Sequence, residues 1–159
     1  MDEIVAYHEA GHAFTAVYLG AQVRYVTLEP HLDDQPRREG EAQIAWRRSR
    51  LSPKEFQNKL VLVALGGPAA EAIYCDAPFH PAVMPAWRGD WDEAWQAAGE
   101  IHPHETTRLR FIEEAMRQLL KLQRLDEHWA AIAALADELL AHETLEAEQV
   151  HDVLGFWMR

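Results

Sequence analysis

Two histidines four residues apart, with a glutamate directly after the first, lie close to the N-terminus of the chain. They are His8, Glu9 and His12. The surrounding residues 4–19 favour a helix because they contain no proline. Side chains four apart on a helix share one face, with Cβ atoms about 6 Å apart. The two imidazoles can therefore bind one tetrahedral zinc ion while the helix backbone stays fully hydrogen-bonded.

The glutamate occupies the position that a general base needs. Glu9 is rotated around the helix from His8, so it can reach a metal-bound water without taking a coordination position. Because the chain has nine histidines, a chance pair at this spacing is the competing explanation. The small residues Ala10, Gly11 and Ala13 argue against chance, since they would let another element approach the metal closely. We interpret the pattern as a His-Glu-x-x-His site, with zinc as the predicted cofactor.

Such a motif supplies two ligands, and a catalytic zinc ion takes a third from elsewhere in the protein. Residue types leave several candidates open. The carboxylates Asp90 and Asp92 lie at a predicted helix start, where negative charge is favoured, and Glu71 lies on a helix expected to pack against the zinc helix. The remaining candidates are His31, His80, His102 and His104.

Composition predicts one folded domain over residues 1–159, with no nucleic-acid partner. Apolar residues make up 48% of the chain, which includes six tryptophans, and the formal charge is −11. An acidic chain of this kind disfavours binding to nucleic acid or to anionic lipid. The single Cys75 excludes an internal disulfide and fits a reducing compartment. The longest apolar run, 60–70, is too short to span a bilayer, so we expect a soluble, cytoplasmic protein.

Two strands are predicted after the zinc helix, which we expect to end near Gly20. Residues 22–29 are rich in strand-forming types, residues 30–40 read as a loop, and residues 41–47 alternate in polarity. The second strand is expected at a sheet edge, where it could hold an extended peptide by strand addition. A plain solvent-facing edge strand fits the pattern equally well. The predicted substrate strand consists of Ala42, Gln43, Ile44 and Ala45.

The rest of the sequence predicts helices. The predicted fold class is therefore mainly α (α+β), with a small β element beside the site. Ser52 and Pro53 begin a helix whose small residues at 65–71 allow close packing, and Pro68 should kink it. A loop is predicted over 75–89, then a helix from Asp90. Further helices are centred on residues 109–120 and 129–140, and Thr144 is expected to cap a last one. Residues 1–101 form the zinc-site half and residues 102–159 the C-terminal helices.

The zinc helix, residues 6–13, resembles that of the FtsH-type ATP-dependent metalloproteases. Further resemblances follow in the same order along the chain, at residues 25–30, 65–71, 89–94, 135–140 and 143–145. In that family an aspartate in the segment matched by 89–94 is the third zinc ligand. The resemblance therefore implies that Asp90 completes the site, with Asp92 as the fallback.

The sequence also departs from the family. Nothing in it resembles the ATPase module or the membrane helices, Pro68 stands where the family has arginine, and the stretch 98–111 is shorter than usual. The resemblance implies a zinc endopeptidase that cuts unfolded or extended polypeptides, served by a separate ATPase or by homo-oligomerisation. The alternatives are a catalytically silent, zinc-braced binding or regulatory module, and a helical interaction domain without metal.

Overall fold

A computed structural model describes residues 2–30, 40–77, 80, 82 and 84–158. Residues 31–39 of the loop predicted at 30–40, among them His31, lie outside these residues. Within them the chain is mainly helical with one small sheet, so the predicted fold class is confirmed. The helices are α1 Asp2–Tyr18, α2 Pro53–Cys75, α3 Arg88–Gly99, α4 Glu105–Gln123, α5 Asp126–His142 and α6 Ala147–Trp157. The strands are β1 Gln22–Thr27, β2 Glu41–Ala45 and β3 Thr144–Glu146.

The zinc-motif helix ends where the sequence predicts. Gly20 has φ +92°, a left-handed conformation that glycine adopts without a steric penalty. Its N–H donates to the Val17 carbonyl, and the Ala21 N–H donates to the Ala16 carbonyl. This pair of hydrogen bonds is a Schellman motif, which satisfies carbonyls at the helix end. The chain then turns directly into β1.

The sheet is antiparallel and has the order β2-β1-β3. Val26 at its centre pairs with Ala42 on one side and with Leu145 on the other. Within the part of the chain that the structure describes, β2 therefore lies at an edge of the sheet, as predicted. The third strand was not predicted, and the expectation that Thr144 caps the last helix is wrong. Thr144 instead pairs with Thr27 in the sheet, and Glu146 caps α6.

Helices α1 and α2 pack so closely that their backbones nearly touch. A Cβ atom placed on Gly11 would lie 2.4 Å from the Gly66 carbonyl oxygen, which is closer than a Cβ atom comes to a non-bonded heavy atom in real proteins. The buried Gln123 of α4 donates from Nε2 to that same carbonyl, at 3.0 Å. The structure thus shows the predicted close packing of α2 against the zinc helix α1. Helix α4 is hydrogen-bonded to α2 at this contact.

Helix α2 begins as predicted and continues past the proline. The Ser52 side chain accepts a hydrogen bond from the Glu55 N–H, a cap that stabilises a helix by about 1 kcal/mol. Pro68 lies inside the helix, which stays continuous to Cys75. Pro68 is buried together with its neighbours in the helix.

Two clusters of buried apolar side chains form the core. The first joins α1 to the sheet, α5 and α6, and the second joins α2 to α3 and α4. Both clusters draw on residues before and after residue 101, so the two predicted halves share their packing. Among the described residues, no helix is long and apolar enough to cross a membrane.

Candidate metal centre

Three side chains from distant parts of the sequence converge at one point. His8 and His12 come from α1, and Asp90 comes from the first turn of α3. His8 Nε2 lies 2.8 Å from Asp90 Oδ2, and His12 Nε2 lies 3.2 Å from Asp90 Oδ1. Together they are the group of described residues whose ligand atoms are close enough to hold a metal ion.

The donor set fits a zinc ion. The Nε2 atoms of His8 and His12 are 3.2 Å apart. Two nitrogens bound tetrahedrally to zinc at about 2.0–2.1 Å lie about 3.3 Å from each other. Two imidazoles and one carboxylate, with a fourth position left for water or substrate, form a ligand set typical of catalytic zinc. The histidine nitrogens therefore already have nearly the spacing that such an ion requires.

Both imidazole rings are held in place by hydrogen bonds at their Nδ1 atoms. His8 Nδ1 lies 2.7 Å from Glu71 Oε2, and His12 Nδ1 lies 2.7 Å from the backbone oxygen of Val63. Each acceptor takes a hydrogen bond from the Nδ1–H, which directs Nε2 at the centre as the atom that would bind an ion. Glu71 and Val63 both belong to α2, so the close packing of α1 on α2 sets the orientation of both rings.

The charge around these groups favours a cation at the centre. Burial by itself lowers the pKa of His8, but Asp90 and the hydrogen bond to Glu71 outweigh it and raise that pKa well above its usual value. The pKa of His12 is raised against burial in the same way, chiefly by Asp90. Burial alone raises the pKa of Asp90, yet the two imidazoles hold it well below its usual range. A carboxylate facing two buried imidazoles stabilises positive charge between them.

Glu9 lies beside the centre without belonging to the ligand group. Its side chain is only 6% exposed, and its charge contributes to the raised pKa values of His8 and His12. A Cβ atom on Gly40, directly before β2, would lie 3.0 Å from Glu9 Cγ. The carboxylate is thus within electrostatic reach of the histidines, and the Glu9 side chain lies next to Gly40 at the start of the edge strand.

The other candidates for a third ligand are placed elsewhere. Asp92 is exposed on α3. His80 faces Glu113 at 3.2 Å, and the His102 ring packs against Phe111. His104 is an exposed residue directly before α4, and His31 lies outside the described residues. Glu71 contacts the back of His8 instead of the centre.

Three contributors to the site were missed at the sequence level. Val63 acts through its backbone oxygen, which has no residue-type signal. Trp87 donates its indole N–H to Glu71 Oε2. Gly67 lies against the His12 ring, where a Cβ atom would be 2.4 Å from Nε2. The run of small residues at 65–71 was the available signal for Gly67, and it was interpreted only as a helix-packing surface.

Replacing Gly67 by alanine is expected to weaken zinc binding by roughly 10- to 100-fold, the range seen when a group that orients a ligand is lost. The new methyl group would displace the His12 ring from Val63 and from Asp90. Competition with a chromophoric chelator measures the affinity. Gly155→Ala is the matched control, because a Cβ atom there meets nothing within 4 Å and affinity should not change. Equal affinity in Gly67→Ala and the native chain would contradict the proposed metal position.

The chain is similar to one zinc metalloprotease. The ATP-dependent zinc metalloprotease FtsH of Thermus thermophilus is 28% identical over 186 aligned positions. The alignment covers 95% of this chain and 28% of the length of that relative. No family model matches the chain. The chain is therefore distantly related to FtsH, and it spans little more than a quarter of that protein's length.

Proposed function

We propose that the chain is a zinc-dependent endopeptidase that hydrolyses unfolded or extended polypeptides. The observation that carries this proposal is the convergence of His8, His12 and Asp90 on one point, with the buried Glu9 beside it. The distant relationship to a zinc metalloprotease supports the same reaction class. His8, His12 and Asp90 would hold the ion.

The chain's own residues divide the work of hydrolysis. A bound zinc ion supplies a Lewis acid that polarises a carbonyl and lowers the pKa of water. Glu9 takes a proton from the attacking water as the C–O bond forms, and then gives a proton to the leaving amine as the C–N bond breaks. Glu71 and Val63 keep the histidine rings in place throughout. Asp90 balances the positive charge between them.

The edge strand is the proposed platform for substrate. Residues 42–45 are half-buried in β2, whose outer side is unpaired in the sheet order of the described residues. Gly40 places the start of this strand against Glu9. An extended peptide added to β2 would therefore pass the general base. Only an unfolded or extended segment can pair with a strand in this way, which is why we propose unfolded substrates.

The zinc-loaded chain is expected to cleave a fluorescently labelled unfolded protein and to leave the same protein intact when it is folded. Mass spectrometry of the products would locate the cut bonds. A metal chelator should stop cleavage, and added zinc should restore it. Cleavage of the folded form at the same rate would contradict the strand-addition model. A zinc-bound chain that binds the unfolded protein without cutting it would favour the silent binding module. Delivery of substrate by a separate ATPase, or by an oligomer of this chain, stays a prediction.

A further inference from the structure

Trp87 links the two segments that build the metal centre. It ends a short 3₁₀ turn, Pro85–Trp87, that runs directly into α3. Three residues later α3 supplies Asp90, the proposed third ligand. Trp87 is 0% exposed and belongs to the largest fully buried side chains among the described residues. Its position is therefore fixed by packing on all sides.

The indole N–H of Trp87 faces Glu71, the residue that orients the ligand His8. The indole N–H of Trp87 donates to Glu71 Oε2, the same oxygen that accepts from His8 Nδ1. One carboxylate oxygen thus receives two N–H donors, one from the segment before Asp90 and one from the ring of His8. The Glu71 side chain is 13% exposed, so water has little access to replace either donor. Buried hydrogen bonds to a charged acceptor are the stronger class.

We propose that Trp87 is a positioning residue of the metal centre, acting through Glu71 on the first histidine ligand. Its hydrogen bond holds the Glu71 carboxylate where His8 needs it. The same bond ties the segment that carries Asp90 to α2. Zinc affinity therefore depends on an indole N–H that is not a metal ligand and acts through Glu71. This inference depends on the proposed zinc centre, and it is independent of whether the centre hydrolyses peptides.

Trp87→Phe is the direct test, because it removes the N–H while keeping an aromatic ring in the buried position. Zinc affinity is expected to fall about tenfold, the lower end of the range for groups that orient a ligand. The matched control is Trp95→Phe on α3, whose ring packs against Trp91 and under Arg108. That variant should bind zinc like the native chain. Thermal unfolding of the metal-free variants separates lost packing from lost affinity.

A double-mutant cycle distinguishes positioning from general packing. Glu71→Ala removes the acceptor and should also weaken zinc binding, and Trp87→Phe added to it should cause little further loss, since its effect passes through Glu71. Additive losses would overturn the proposal. Native affinity in Trp87→Phe would overturn it as well, and would leave the proposed function standing. A native chain that binds no zinc would overturn both.

A measurement on the native chain covers the case in which Trp87→Phe does not fold. With ¹⁵N-labelled tryptophan, the indole N–H resonance of Trp87 is expected to shift as zinc is added, because its acceptor also holds His8. The Trp95 resonance should stay in place. A Trp87 resonance that does not respond to saturating zinc would overturn the proposal.

Discussion

Replacing Glu9 by glutamine is expected to lower peptide hydrolysis by roughly 10²- to 10⁴-fold, the usual contribution of a positioned general base. Glutamine keeps the size of the side chain but cannot take a proton from water. His8, His12 and Asp90 are unchanged in this variant, so zinc should still bind. The rate of cleavage of an unfolded protein, compared at equal zinc content, measures the effect.

Glu100→Gln provides the control for this substitution, since Glu100 is exposed just beyond α3 and away from the ligands. It should cleave at the native rate. If Glu9→Gln binds zinc and still cleaves at the native rate, Glu9 is not the base and the proposed division of roles is wrong. If Glu9→Gln also loses zinc, the carboxylate serves the metal directly.

Replacing Asp90 by alanine should weaken zinc binding strongly. Loss of a group that only orients a ligand weakens binding by roughly 10- to 100-fold, and loss of a ligand should weaken it more. Two imidazoles alone leave the ion one protein ligand short of a catalytic site. They also lose the carboxylate that offsets their positive charge. Chelator competition measures the affinity, and hydrolysis at limiting zinc should fall in parallel.

Asp92→Ala separates the two aspartates that the sequence left open. Asp92 lies on the same helix as Asp90 but is exposed, so its loss should leave zinc affinity unchanged. The opposite result, with tight binding in Asp90→Ala and weak binding in Asp92→Ala, would assign the third ligand to Asp92. It would also contradict the observed placement of Asp90 at 2.8 Å from His8.

The local part of the site could be read from the sequence, because it depends only on helix periodicity. A four-residue spacing places His8 and His12 on one face wherever the helix packs. Asp90 is 82 positions from His8 in the chain, and its approach depends on how α3 docks on α2. Several carboxylates and histidines were compatible with that role, and only the resemblance to a known family favoured Asp90. The structure brings that residue to the histidines.

The misjudged parts of the fold depend on long-range contacts. Strand β3 has only three residues, and its pairing partner Thr27 lies more than a hundred positions away from Thr144. The local signal of Thr144 was that of a helix cap, and the sheet overrides it. Helix α2 continues to Cys75 with Pro68 buried inside it, and the kink expected at Pro68 stays a prediction. At Thr144 tertiary packing therefore outweighs a local preference.

The most direct test of the whole account is a zinc titration of the metal-free chain, with cleavage of an unfolded protein followed at each step. We predict that turnover is absent without zinc, rises in proportion to the zinc bound, and reaches its maximum at one ion per chain. Turnover that is still absent at one bound zinc per chain, or that does not depend on zinc, would contradict the account.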